Sequence, residues 1–500
     1  MKTFNKYLIL GFSFLMFFLI NPSFLKSQEK INRLTLDDVI YIAKQQSPDA
    51  LMAKHRFRQS YWQFKMFKAE YLPNLSLSGT LPNINRSIDA VGQNDGTTEY
   101  IERRFDKYSV DLSLNQKVGF TGGEFFIRSG LKRNDNIFDS TSNTQYLSTP
   151  VNIGYIQPLF QYNSYKWDKK IKPLEYSEAE RTYLEDVEQI SITATNYFFN
   201  LLLAQIEKKI ALKNMSNYGT LYNIAKGRFN LGKIAENELL QLELNFLKAQ
   251  SAVEKADLNF ENSLFKLKSY LRVKDEEIIE LIAPKETYHF DIPIEDAVFQ
   301  AKNNTSISIA FERRILEAQS GVNKSKMDGR FDIDIWAVFG LTQASQSFQN
   351  VYDNPLDQQQ VSIGLDVPIL DWGLAKGKIK LAQSIQELVQ TSVEQERIDF
   401  EQNIFLEVMQ FKMQKNQLYI AAKADTVAKK RYDITQKRYM IGKINDVLEL
   451  NMAQIDNDNA KKSYISSLKT YWKNYYNLRK LTLFDFRDNK KIVFDINAIQ

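Results

Sequence analysis

Apolar side chains recur along this chain with two periods, and the points where one period gives way to the other divide it into elements. From Thr35-Leu36-Asp37-Asp38-Val39-Ile40 a spacing of three and four residues, opened by a capping Thr and early acids, predicts a helix. It is interrupted at Pro48, continues to Tyr71 and is stopped by Pro73. The period then falls to two: Leu75, Leu77 and Leu81 face one way, and Ser76, Ser78 and Thr80 the other. Strict alternation over Tyr108-Ser109-Val110-Asp111-Leu112-Ser113-Leu114-Asn115 predicts a second strand. Phe120-Thr121-Gly122-Gly123 turns the chain into a third, at Phe125 to Lys132, and Val151 to Tyr155 supplies another before Pro158.

Helical spacing resumes near Ser164 and continues to Arg228, a helix of about 65 residues and roughly 97 Å. Ile190, Ala194, Tyr197, Leu201 and Ala204 mark its apolar stripe. After a break the pattern returns through Leu239, Leu242, Phe246, Ala249, Val253, Ala256, Phe260, Ser263, Leu267 and Tyr270, spacings of three and four that specify a coiled-coil seam. The break itself is Arg228-Phe229-Asn230-Leu231-Gly232-Lys233-Ile234, and Arg438-Tyr439-Met440-Ile441-Gly442-Lys443-Ile444 repeats it 210 residues later. Glycine is the usual residue where a helix stops in a left-handed turn, so each heptapeptide predicts the tip of a helical hairpin.

The repetition extends to the whole pattern. Pro284 and Pro293 mark a joint, and Ile292-Pro293-Ile294-Glu295-Asp296-Ala297-Val298 reopens the helix begun at Leu36. Strands at Asp332 to Phe339 and Val361 to Val367 follow, closed by Pro368-Ile369-Leu370 at the same offset from Pro158-Leu159-Phe160. A long helix from about Lys376 to Arg438 turns at Gly442 and returns through Tyr464, Leu468, Tyr471, Tyr475 and Leu478. The chain therefore divides into residues 1–27, a first repeat at 28–283, a second at 284–483 and a tail at 484–500 with one possible strand, Ile492 to Ile496. The first repeat is longer by 48 residues between its opening helix and its proline, which accounts for one added hairpin, assigned to the strands on either side of Gly122-Gly123.

Composition narrows the class. The 19 Gly and 11 Pro are few for 500 residues, as long uninterrupted elements require. The net charge of +5 falls to +2 without Lys2, Lys6 and Lys26, so there is no nucleic-acid footprint. The absence of cysteine excludes disulfides, an S-lipidated N-terminus and thiolate metal sites. Met1 to Ser27 joins Lys2 and Lys6 to an apolar run from Tyr7 to Ile20 and a small Ser27, the form of a secretory signal peptide. No other stretch predicts a transmembrane helix, so membrane residence would have to be as a β-barrel.

Two or three hairpins with one apolar and one polar face need a closed sheet, and one chain offers too few strands to close it. The fold expected is mainly α with a transmembrane β-barrel contributed by several chains: a duplicated helix, strand pair and long coiled-coil hairpin assembled as a homotrimeric α/β tube. A sheet half-buried under the helices is the competing arrangement, and a soluble periplasmic coiled-coil adaptor or structural protein the competing function. There is no catalytic constellation. His55 and His289 have no evident partners, Gly119-Phe120-Thr121-Gly122-Gly123 lacks the Lys and Ser/Thr of a phosphate loop, and Asp456-Asn457-Asp458-Asn459 lacks the glycine and glutamate of a calcium loop. No cofactor or metal is expected.

Four features together resemble the outer-membrane efflux protein family, the TolC-type channels: the Leu36-Asp37-Asp38-Val39 opening, Pro73-Asn74-Leu75-Ser76-Leu77, the strand-ending Gln157-Pro158-Leu159-Phe160 with Val367-Pro368-Ile369-Leu370, and the Arg-aromatic-x-x-Gly tips. The resemblance covers essentially the whole mature chain. It implies a homotrimeric export duct in the outer membrane of a Gram-negative-type bacterium, with a periplasmic helical tunnel. Its partners would be outer-membrane lipid, a periplasmic adaptor (membrane fusion protein) and an inner-membrane pump of RND or ABC type, in a tripartite efflux or type I secretion system. It also implies a pore constriction at acids past the second tip. The matching residues are Asp446 and Glu449, which share a helix face at i and i+3, with Glu238 their counterpart in the first repeat. Two residues fewer separate them from the glycine than in the family pattern. Arg228, Leu231 and Gly232, with Arg438, Ile441 and Gly442, are the implied adaptor-docking tips; building the turn is the competing role for the same Gly and Arg.

Overall fold

The computed structural model describes residues 31–138, 141–274, 278–284, 290–441 and 447–494; the expected signal peptide lies outside them. In chain order the elements are β1 (Ile31–Leu34), α1 (Leu36–Gln46), α2 (Pro48–Ala69), β2 (Asn74–Gly92), β3 (Thr98–Val118), β4 (Gly123–Phe138), β5 (Thr141–Leu159), α3 (Ser164–Asn230) and α4 (Glu236–Leu271). They continue with β6 (Ile278–Leu281), α5 (Ile294–Asn304), α6 (Ser306–Met327), β7 (Asp332–Ser345), β8 (Leu356–Asp366), α7 (Leu374–Met440), α8 (Val447–Thr482), β9 (Phe484–Asp485) and β10 (Lys490–Lys491). Helix lengths come in pairs: 11 residues for α1 and α5, 22 for α2 and α6, 67 for α3 and α7, and 36 for α4 and α8.

Local chemistry explains the boundaries. Thr35 and Asp38 form a reciprocal capping box: the Asp38 amide donates to Thr35 Oγ1 at 3.3 Å and the Thr35 amide to Asp38 Oδ2 at 2.9 Å. Ser47 and Pro48 break α1 from α2, with Ser47 Oγ accepting from the Ala50 amide at 3.1 Å. At the matching break before α6, the half-buried Glu185 carboxylate accepts both the Ser306 amide, at 2.7 Å, and the Ser306 hydroxyl, at 2.8 Å.

The chain folds as two compact units, each drawn from both halves of the sequence. One comprises Met1–Ala50, Ile190–His289 and Met413–Asn474; the other comprises Leu51–Gln189, Phe290–Lys412 and Tyr475–Gln500. The first contains the tip-bearing parts of both helical hairpins. Its buried core joins Leu221 and Ala225 of α3 and Leu242 of α4 to Tyr432 and Tyr439 of α7 and Val447, Leu450 and Ala453 of α8.

The second unit contains a six-stranded antiparallel sheet in the order β2-β3-β4-β5-β7-β8. The first half of the chain supplies four strands and the second two, so the added hairpin joins the same sheet, and β3 and β4 flank Gly122-Gly123 as expected. Pairing keeps the alternation in phase across the strands. Leu75 lies opposite Leu114, Leu77 opposite Leu112, Leu114 opposite Ile127, Ile127 opposite Ile153, and Ile335 opposite Ile363. This apolar face is open on the outer strands, where Leu77 is 71% exposed and Ile363 68%, and half-buried at Leu114, Ile127 and Ile335 between them. The other face carries Ser76 and Ser113, hydroxyl to hydroxyl at 2.9 Å, and Arg128 stacked 4.1 Å from the buried Phe126 ring. Among the described residues no helix is long and apolar enough to cross a membrane.

The tail departs from expectation. Its strand is Lys490–Lys491, paired with Phe484–Asp485, and Ile492 to Phe494 are not extended into it. Phe494 instead packs its ring 4.7 Å from that of Phe57, using the apolar residue as a plug rather than as part of a ladder. The rest of that predicted strand lies outside the described residues.

Candidate functional site

The first tip is built by its glycine. Gly232 has φ +65, and the Lys233 amide reaches back to the Arg228 carbonyl at 2.9 Å while the Gly232 amide meets that of Phe229 at 2.8 Å. A Cβ at that angle would be strained, so the stop belongs to this position. Leu231, beside it, is 71% exposed, and Ile441 in the second tip is 67% exposed. Gly442 and Asp446 lie outside the described residues.

The two arginines of the matching heptapeptides have different surroundings. Arg228 is half-buried, its guanidinium 5.8 Å from the centre of the Tyr439 ring, whereas Arg438 is exposed. Tyr439 is buried, and burial raises its phenol pKa; Arg228 opposes that shift and Glu238 adds to it. The fold thus gathers Arg228 and Glu238 of the first tip around an aromatic ring of the second. Glu238 and Glu449 are both half-buried, and Val447 and Leu450 beside Glu449 face the core.

Above the tips lies a polar layer that the sequence reading does not anticipate. Asn214 Nδ2 donates to Asp458 Oδ2 at 2.7 Å, Asn217 Nδ2 to the Tyr432 hydroxyl at 3.0 Å, and the Tyr218 hydroxyl to Asn451 Oδ1 at 3.1 Å. Asp456, two residues before Asp458, pairs outward with Arg431 at 2.6 Å. Burial raises the Asp458 pKa, with Asn214 and Asn457 pulling it back. Burial and then the Asp458 charge push the Tyr218 phenol up to about 12. The signal available in the sequence was an acid on the inner phase of a long helix, at Asp458, next to one on the outer phase, at Asp456.

A carboxylate with a raised folded pKa binds its proton more tightly in the native state, so its contribution is fully present below the unfolded carboxylate pKa of about 4 and is lost as pH rises through the folded value. Asp458→Asn, which keeps the acceptor for Asn214 and removes the charge, is therefore expected to melt higher than the parent at pH 7. The gap should close toward pH 4. Circular-dichroism melts across that range check it, and a gap that widened on acidification would reverse the assignment.

Other clusters are structural. Arg313 is held by Glu178 at 2.6 Å and Glu317 at 2.7 Å, and Arg314 by Glu396 at 2.6 Å. The long helices also carry unpartnered stripes. Leu406, Met413, Ile420, Val427, Ile434 and Ile441 stand seven residues apart and are all exposed, as are Leu240, Leu244, Leu247, Leu258 and Phe265 of α4. These are coiled-coil positions with nothing among the described residues to cover them.

No protein-family model and no curated protein matches the sequence. Solved structures do. The CmeC outer-membrane channel of Campylobacter jejuni superposes with a TM-score of 0.65 at 17% identity, over 92% of this chain and 87% of that one. The outer-membrane protein VceC of Vibrio cholerae gives 0.62 at 12%, over 92% and 97%. The open state of the MtrE outer-membrane channel of Neisseria gonorrhoeae gives 0.61 at 14%, over 92% and 90%. At these identities the likeness establishes the fold.

Proposed function

We propose that this chain, which has the fold of the TolC-type outer-membrane channels, is one third of a passive export duct in the outer membrane. The carrying observation is the six-stranded sheet, whose edges at β2 and β8 are unpaired among the described residues and whose apolar face is exposed on those outer strands. An open edge invites another strand, and an apolar face of this extent in water is a liability. Copies of the chain pairing β8 to β2 remove both problems, giving a barrel with six strands from each copy and lipid on the outside. Barrels of porin size leave an aqueous channel. A soluble coiled-coil adaptor would leave the same face in water, and the exposed heptad stripes without a partner. The paired helix lengths support reading residues 28–283 and 284–483 as a duplicated unit.

In this reading the stripes of α4 and α7 meet neighbouring copies in a homotrimer and continue the conduit as a periplasmic helical tunnel. Leu231, Gly232, Ile441 and Gly442, with Arg228 and Arg438, form the docking tips for a periplasmic adaptor, which couples the duct to an inner-membrane pump of RND or ABC type. The tunnel is closed by Asp446 and Glu449, with Glu238 behind them, repeated around the axis as a cation-attracting constriction. Energy comes from the pump; the duct conducts passively.

Planar-bilayer recording with crosslinking tests this. The protein is expected to insert, conduct and crosslink as a trimer; a monomer without conductance refutes the proposal. Asp446→Ala with Glu449→Ala is expected to raise conductance and weaken block by multivalent cations. Unchanged block would move the constriction elsewhere.

A further inference from the structure

The clearest unassigned site lies where the helices meet the sheet. A cleft of about 820 Å³ opens between the end of α2, the turn joining β3 to β4, and the first turns of α3. Phe67, Tyr71 and Phe120 form its apolar wall, and Lys68, Lys166, Lys169 and Lys170 complete its lining. The turn is held in place: Asn163 Nδ2 donates to the Gly119 carbonyl at 3.2 Å, and the Tyr71 hydroxyl to the Tyr165 carbonyl at 3.2 Å. On that fixed backbone the Phe120 ring is 94% exposed, which is a poor use of an aromatic side chain in water.

Glu70, just past α2, and Asp168 of α3 line an adjoining cleft that shares Phe67, together with Lys172 and Glu175, which pair at 2.9 Å. Burial, then the Asp168 and Glu70 charges, raise the pKa of the Tyr71 phenol. None of the four lysines of the aromatic cleft is in an ion pair among the described residues; Lys68 and Lys170 instead lie 4.5 and 5.6 Å from the Phe64 and Trp167 rings. Four cations outside any ion pair among the described residues, beside an exposed ring, suit a ligand with a phosphate at one end and a hydrocarbon chain at the other. Lysine stems cover apolar surface while their heads reach the phosphate.

We infer that this cleft binds the headgroup of an anionic glycerophospholipid in the leaflet on the helix side of the barrel, fixing the depth of the sheet in the membrane. The inference rests on the outer-membrane reading above, since the strands whose apolar face would meet lipid end at this turn, and basic side chains at such a boundary attract anionic lipid.

The test uses full-length protein in nanodiscs of phosphatidylcholine with a minor fraction of phosphatidylglycerol, followed by detergent extraction and native mass spectrometry. Wild-type protein is expected to retain phosphatidylglycerol several-fold above its bulk share, with retention falling at high salt. Lys68→Gln, Lys166→Gln, Lys169→Gln and Lys170→Gln combined should return it to the bulk ratio while single-channel conductance is unchanged. Equal enrichment in the variant, or none in the conducting wild type, overturns the lipid site and leaves the duct standing. A wild-type chain that neither inserts nor conducts overturns both.

Discussion

Replacing Arg479 by alanine is expected to cost on the order of 3–5 kcal/mol of stability, the usual result of removing one partner from a buried charge network. The Arg479 guanidinium grips Glu188 with two hydrogen bonds, Nε to Oε2 at 2.9 Å and Nη2 to Oε1 at 3.2 Å, and also donates to Asp485. Tyr475 closes the ring by donating to Asp485 Oδ1 at 2.8 Å. The Glu188 side chain is 1% exposed and that of Asp485 9%, so alanine leaves two carboxylates in the interior without this cation. Burial alone would lower the Arg479 pKa, but Glu188 and Tyr475 more than offset it and hold the guanidinium above its ordinary value. Arg479→Lys keeps the charge and loses the fork, and should fall between alanine and the parent. A drop in Tm on the order of 10 °C for the alanine variant is the expected scale. Arg33→Ala is the control: its partner Glu280 is 3.0 Å away, but the side chains are 69% and 46% exposed, and such pairs contribute at most about 1 kcal/mol. If both variants melted alike, the buried network would not be holding the end of α8 against α3.

Neither Glu188 nor Arg479 stands out in the sequence, because they are 291 residues apart and periodicity reports only on neighbours. What was legible is what local spacing encodes: the helix broken at Pro48, the alternating strands, the long helices, and Gly232 at a left-handed stop. The two heptapeptides look interchangeable as sequence, yet Arg228 lies against Tyr439 while Arg438 is exposed, a difference made by the packing of one hairpin on the other. The role of Asp458 is hidden in the sequence for a similar reason. Its burial depends on α3 lying beside α8, and an Asp-Asn-Asp-Asn run by itself reads as a solvated turn of helix. The added hairpin could be counted from the 48 extra residues, but its place in a continuous sheet follows from pairings such as Ile153 with Phe339, which no local pattern states.

That pairing of β5 with β7 is where the second large effect is expected. Gly340→Val should prevent the sheet from closing, because the glycine sits against a backbone that cannot rotate away. A Cβ built at Gly340 would overlap the Val151 carbonyl oxygen and lie 2.7 Å from Asn152 Cα, beside the register shift between Ser148 and Asn152. Overpacking against flexible side chains costs about 1–3 kcal/mol; against a main chain the strands themselves must part. In the sheet order, β5–β7 is the single join between the strands of the first half and those of the second, so parting them yields fragments of four and two strands, with two new edges. Gly364→Ala in β8 is the matched control, since its nearest neighbours, Asp334 Cβ and the Asp334 carbonyl, stand at 3.9 Å, an ordinary contact. The expected result is that Gly340→Val keeps its helical circular dichroism but loses both its crosslinkable oligomer and its bilayer conductance, while Gly364→Ala retains all three. Conductance from Gly340→Val at the parental level would mean that the join between the two halves is not needed for the pore. The barrel would then have to be built on pairings other than β5 with β7.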